Sequence, residues 1–192
     1  MGTINLQVDG AVARVVISAP ERRNAMSLAM WTQLREIVAG VGSDPRVRVI
    51  VLRGDGDKAF VSGADISEFG KSRADARSID SYDHEVSAAQ DALIACPLPI
   101  VASIRGVCMG GGMGLALACD LRYATATTRF RMPAARLGIG YRLDGIRRFV
   151  DVIGAARTAD LFYTARIFDG NEAARYGMVH AAHADDELDA AV

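Results

Sequence analysis

Cysteine is scarce in this 192-residue chain, and Cys96, Cys108 and Cys119 sit in apolar surroundings with no CxxC spacing. That pattern argues against a disulfide framework or a zinc site and reads the three as small core residues. An excess of one charge is also missing. Lys plus Arg (22) nearly balances Asp plus Glu (23), so no strong field draws nucleic acid or an anionic membrane. No apolar run reaches the about 18 residues that a bilayer span needs, and no basic-then-apolar leader opens the chain. The expectation is a cytoplasmic protein, outside membranes, whose partner is a small molecule or another protein. Repeats, low-complexity tracts and clear linkers are lacking too. A hydrophobic content of 51% supplies a substantial core, and the length predicts one domain over residues 1–192.

The opening "INLQVDGAVARVVIS" alternates around Asp9-Gly10 as a β-hairpin does. Leu28, Trp31, Leu34, Ile37 and Val38 then recur at helical spacing, with Ser27 as N-cap. "VRVIVLRG" reads as a strand and "DGDKAFVSGADISEFG" as a loop. A polar stretch from Lys71 to Asp83 leads into a helix over "HEVSAAQDALIACPLP", which the prolines stop. "IVASIRG" is a strand that feeds a glycine-rich turn and its helix, and "LRYATATTRFRMP" returns to strand before a run of short loops and helices. Alternating strands and helices predict an α/β architecture.

"GVCMGGGMGLALACD", Gly106 to Asp120, holds five glycines in its first nine residues and runs into an apolar helix. The first N–H groups of a helix lack intrahelical partners and carry the positive end of its dipole, so they attract an anion or a developing oxyanion. The spacing matches neither GxxxxGK[ST] nor GxGxxG, since the sixth position from Gly110 is Leu115. Close packing of helix on strand is the competing use of the same glycines. A second loop, "AFVSGADISEF", again places a glycine between a strand and a helical turn. Two amide donors from separate loops make an oxyanion hole.

With "NAMS" near Asn24, "KAFVSGADISEF" from Lys58 and "FRMPAARLGIG" from Phe130, these segments resemble the enoyl-CoA hydratase/isomerase, or crotonase, superfamily over nearly the whole chain. The resemblance implies a β/β/α spiral fold, assembly as a homotrimer or dimer of trimers, and an acyl-CoA thioester as ligand. It implies no cofactor other than coenzyme A as part of the substrate. Carried over, the oxyanion donors are the N–H groups of Ala64 and Gly111. Asn24, Gly63, Asp65 and Gly110 belong to the substrate site, and Val61 to Ile66 line the adenine and pantetheine path. Arg22, Arg23 and Lys58 are candidates for the coenzyme phosphates, with solvated surface charge as the alternative. The chain ends at Val192, before the C-terminal helices that cover the active site in this family, so that helical segment is expected to be missing or shortened.

The chain departs from the family where its hydratases carry two glutamates. Those positions hold Gly114 and Ala134, and neither moves a proton. Water addition needs a positioned acid and base, each contributing roughly 10²- to 10⁴-fold. Where isomerases place an acid, this chain has Arg142; Asp144, two residues on, is a replacement base or a surface cap. "LGIGYRLDGI" and "LFYTARIF" resemble the methylmalonyl-CoA decarboxylase branch, which has a tyrosine where Tyr141 stands but a histidine where Ala64 stands. Loss of CO₂ generates the enolate without a base, so Tyr141 is expected to orient the substrate carboxylate, helped by Arg142 or Arg136. The alternative leaves Tyr141 at the pocket edge with its hydroxyl in water. His84, His180 and His183 are read as surface or core residues, with His84 in a flap over the ligand.

Three functions follow as expectations. The first is an acyl-CoA lyase that stabilises a thioester enolate, favouring decarboxylation of a malonyl-type ester over hydration. The second is a non-catalytic acyl-CoA carrier, and the third a weak hydratase or isomerase using Asp144.

Overall fold

The computed structural model describes residues 2–65 and 76–192. Strands β1 (Thr3–Asp9) and β2 (Val12–Ser18) form the expected antiparallel hairpin, with Asp9 opposite Val12 across a two-residue loop. Inward-pointing Ala13, Val15 and Ile17 on β2 are fully buried, as period-two alternation requires. From there the sheet is parallel: β3 (Val49–Gly54), β5 (Ile100–Ile104), β7 (Leu121–Thr125) and β9 (Ala181–His183) follow in the order β1-β2-β3-β5-β7-β9. Every residue of β5 is buried, because a central parallel strand is covered on both faces.

Helix α1 (Leu28–Gly42) starts where expected, with the Ser27 hydroxyl accepting the N–H of Met30 at 3.3 Å. Its inner stripe is Met30, Trp31, Leu34, Val38 and Val41, with Leu28 and Ile37 half-buried beside it. Helix α2 (Ala76–Ile94) packs along α1 and ends before Pro97, but it begins inside the stretch read as a polar lead-in.

A second, three-stranded parallel sheet positions the site. It comprises β4 (Ala59–Val61), β6 (Val107–Met109) and β8 (Arg129–Arg131), in the order β4-β6-β8. Three expectations are corrected here. The segment from Asp55 to Gly70, read as a loop, contains β4, and the strand that feeds the glycine turn is β6 rather than β5. "LRYATATTRFRMP" is likewise two strands in different sheets. The break falls at a threonine turn, where the Thr125 and Thr128 hydroxyls pair at 2.9 Å and Thr128 donates to the Ile104 carbonyl at 3.1 Å.

Helix α3 (Gly111–Leu117) follows β6 and is almost wholly buried. Short α4 (Ala134–Leu137), then α5 (Leu143–Ile153), α6 (Ala155–Thr164), α7 (Gly170–Arg175) and α8 (Leu188–Ala191) complete the chain. Among the described residues, no helix is long and apolar enough to cross a membrane.

Candidate active site

A cavity of about 270 Å³ opens where the ends of β4 and β6 meet α2, α4 and α5. Two backbone N–H groups are aimed by geometry that follows from trans peptide planarity. Gly63 offers its carbonyl to the N–H of Met26 at 2.8 Å, and Met26 in turn accepts the N–H of Asp65 at 3.0 Å. The N–H of Ala64 shares its planar peptide with that Gly63 carbonyl and therefore points the opposite way, off the Met26 strand. On the other loop, the Gly110 carbonyl accepts from Met113 at 3.0 Å and Gly114 at 3.3 Å, down the axis of α3. The N–H of Gly111 must then point out of the helix N-terminus. Gly63, Ala64, Gly110 and Gly111 all line the cavity.

The glycines of this turn have different uses. Gly110 holds φ 51° and ψ −116°, a conformation that side-chain-bearing residues avoid. At Gly112 a Cβ would lie 2.4 Å from the Val61 carbonyl oxygen, so α3 approaches β4 to a distance only glycine permits. Trp31 supports the same corner. Its ring stands 3.6 Å from where a Cβ on Gly111 would be, and its indole N–H donates to the Tyr82 hydroxyl at 3.0 Å. Tyr82 donates on to the Met26 carbonyl at 3.2 Å, which ties α1 and α2 to the loop that aims Ala64.

At position 114 the space beyond the backbone is taken. A Cβ there would lie 2.9 Å from Gln90 Nε2 and 3.4 Å from Tyr141 Oη. Gln90 comes from α2 and is 6% exposed; its Oε1 accepts from Arg148 of α5 at 2.5 Å. Tyr141 stands edge-on to Phe162 at 5.2 Å and to Phe149 at 6.5 Å, which fixes its ring. Tyr141 is partly buried on the cavity wall, and burial, opposed by nearby Arg148, pushes the phenol up to about 12, so it stays neutral as a donor.

Ala134 and Arg142 also line the cavity, as does Asp144 in the first turn of α5. The Asp144 side chain is 53% exposed, accepts the N–H of Gly145 at 2.9 Å and lies 3.5 Å from Arg142. Gly114 stands behind Gln90 and Tyr141 rather than on the cavity wall. Asn24 is a correction to the sequence reading. Fully buried, it accepts from Ala19 N–H at 3.0 Å and donates to the Asp55 and Ala59 carbonyls at 3.0 and 2.7 Å, so its side chain holds a loop together. Val61 is likewise fully buried, packed against Gly112. Asp65 forms an ion pair with Arg22, and Ile66 lies outside the described residues. Arg23 and Lys58 border a separate cavity beside Glu21, Asp55 and Asp57. Arg136 and all three histidines lie away from the main cavity; the His84 side chain is 78% exposed, while His180 accepts the N–H of Arg122 at 3.1 Å.

Sequence reasoning missed Gln90, Arg148 and the Trp31–Tyr82 pair as site residues. Gln90 and Arg148 lie on separate helices 58 positions apart, and each reads locally as the polar face of a helix. Among the described residues, no group of three or more His, Cys, Asp or Glu could hold a metal ion.

Two amide groups that border one cavity can together receive a carbonyl oxygen that gains negative charge. Residues 7–192 match the family model described as enoyl-CoA hydratase/isomerase, and the chain belongs to that family. It is 31% identical to the crotonyl-CoA hydratase of Syntrophomonas wolfei, over 96% of this chain and 70% of that protein. It is 32% identical to a peroxisomal Delta(3,5)-Delta(2,4)-dienoyl-CoA isomerase of Arabidopsis thaliana, over 92% of this chain and 66% of that one. Among solved structures, an enoyl-CoA hydratase/carnithine racemase from Magnetospirillum magneticum superposes with a TM-score of 0.96 at 37% identity. That match covers all of this chain and 72% of the other. The expected crotonase fold is the fold observed.

Proposed function

We propose that this chain binds a small acyl-CoA thioester and stabilises its enolate between the N–H groups of Ala64 and Gly111, with decarboxylation of a malonyl-type ester favoured over hydration. The observation that carries the reading is position 114. Where a hydratase is expected to hold a glutamate, Gln90 and Tyr141 fill the space with groups that neither remove nor deliver a proton at working pH.

Decarboxylation asks for no base. The bond between the α-carbon and the carboxylate breaks, CO₂ departs, and the electron pair enters the thioester as an enolate whose oxygen accepts from Ala64 and Gly111. A proton from water on the α-carbon completes the product. One such amide donor is typically worth about 3 kcal/mol of barrier. Arg142, more than half exposed at the cavity wall and 3.5 Å from Asp144, draws the substrate carboxylate in by charge without gripping it. A homotrimer or dimer of trimers is part of the proposal, supported by apolar Leu137, Leu143 and Tyr163 standing exposed; light scattering would test it.

The test is mass spectrometry of the coenzyme A products after incubation with malonyl-, methylmalonyl- and crotonyl-CoA, with a binding titration for each. Decarboxylated product supports the reading. Rapid hydration of crotonyl-CoA overturns it and turns attention to Asp144. Tight binding without turnover marks an acyl-CoA carrier.

A further inference from the structure

The inner end of the cavity presents hydrogen-bond donors that have nothing to donate to. Among the described residues, neither Gln90 Nε2 nor Tyr141 Oη has a hydrogen-bond partner, although both lie beside the same point next to Gly114. The orientation of the Gln90 amide is set by Arg148. Its guanidinium engages Oε1 at 2.5 Å, which turns the two N–H bonds of Nε2 the other way. Arg148 is itself tethered. Its side chain is 15% exposed, and its Nη2 lies 3.6 Å from Asp91 on α2. The carboxylates of Asp83 and Asp144 border the same cavity, and their charges add to the burial that keeps the Tyr141 hydroxyl protonated, while Arg148 opposes them.

Neither atom is sealed in the packed interior; both open onto the cavity, where a ligand can supply the acceptor they lack. Two neutral donors backed by a cation fit an anionic oxygen pair better than any apolar acyl chain. We infer that Gln90 and Tyr141, with Arg148 behind them, form a recognition pocket for a carboxylate carried on the acyl group. Gln90 and Tyr141 touch that carboxylate, and Arg148 is a positioning residue acting through the Gln90 amide. The layering suits a substrate that must lose its anion. A guanidinium in direct contact would stabilise the ground state more than the transition state, from which the carboxylate's charge is departing, whereas one held a residue away leaves the bond free to break. This inference rests on the acyl-CoA reading and deepens it, naming residues that select the substrate class.

The experiment is calorimetric titration of the protein with two esters of matched shape: sulfoacetyl-CoA, whose sulfonate replaces a carboxylate and does not leave as CO₂, and uncharged 3,3-dimethylbutyryl-CoA. The folded protein is expected to bind the sulfonate ester at least ~10-fold more tightly, in line with hydrogen bonds to a charged group. Gln90→Leu, close in volume, and Arg148→Met are each expected to erase that preference while binding of the neutral ester stays within about twofold. A merely structural role would weaken both esters together, and that result overturns the inference. Equal binding of the two esters by the unaltered protein overturns it as well, while leaving the acyl-CoA reading intact. Failure to bind either ester overturns the acyl-CoA reading itself. Circular dichroism of both variants separates loss of fold from loss of recognition.

Discussion

The ring of Tyr141 abuts Gly145, so close that a Cβ at Gly145 would stand 2.8 Å from Tyr141 Cε1. The Phe149 and Phe162 rings brace Tyr141 edge-on, which leaves the cavity as the direction in which it can yield. Gly145→Ala is therefore expected to displace the hydroxyl and to lower decarboxylation about tenfold, as Tyr141→Phe would. Thermal stability should move little, because alanine gains up to about 1 kcal/mol of helix propensity against the clash. Steady-state turnover of malonyl-CoA beside a melting curve checks this, and unchanged turnover removes Tyr141 from the site.

Two of the three consecutive glycines give a graded test of the turn. Gly111→Ala meets Trp31 at an ordinary 3.6 Å and keeps the N–H, so fold and turnover should survive. Gly111→Pro stands at the first helical position, where proline is tolerated, yet deletes the donor; turnover should fall about 10²- to 10³-fold. Gly112→Ala drives a methyl into the Val61 carbonyl and should cost about 1–3 kcal/mol of unfolding free energy in urea.

Asn24 should behave as a structural residue. Asn24→Ala strands the Ala19 N–H and the Asp55 and Ala59 carbonyls in the interior, at about 1–3 kcal/mol for each group. A urea midpoint shifted strongly downward, with unaltered acyl-CoA affinity in the folded fraction, is the expected result. An affinity loss at full stability would return Asn24 to the ligand.

Burial raises the thiols of Cys108 and Cys119, the latter to about 12, while Cys96 is only half-buried. An aromatic disulfide reagent at mildly alkaline pH should therefore titrate one thiol in the folded protein and three in denaturant. The sign of the linked stability follows. Above pH 9 the unfolded chain releases the Cys119 proton that the folded chain keeps, and above pH 10 the same holds for Tyr141. Stability should fall as pH rises through those values toward 12. A flat urea midpoint over that range would count against both burials.

Local signals in the chain were enough to determine the hairpin at Asp9-Gly10, the Ser27 cap, the apolar stripe of α1 and the two glycine loops. Alternation, capping and backbone freedom are properties of neighbouring residues, and the family resemblance rode on the same short segments. The missing glutamates at 114 and 134 were legible for that reason too. What fills the space they leave was decided only by tertiary structure. Gln90, Tyr141 and Arg148 come from α2, the α4–α5 connection and α5, and nothing within a turn of any of them marks it as a partner of the others. Asn24 failed in the opposite direction: its neighbourhood matches a family motif, but the carbonyls that claim its amide arrive from Asp55 and Ala59, more than thirty residues downstream. A side chain's partners are set by how helices pack across a sheet, and that distance in sequence is what local periodicity cannot span.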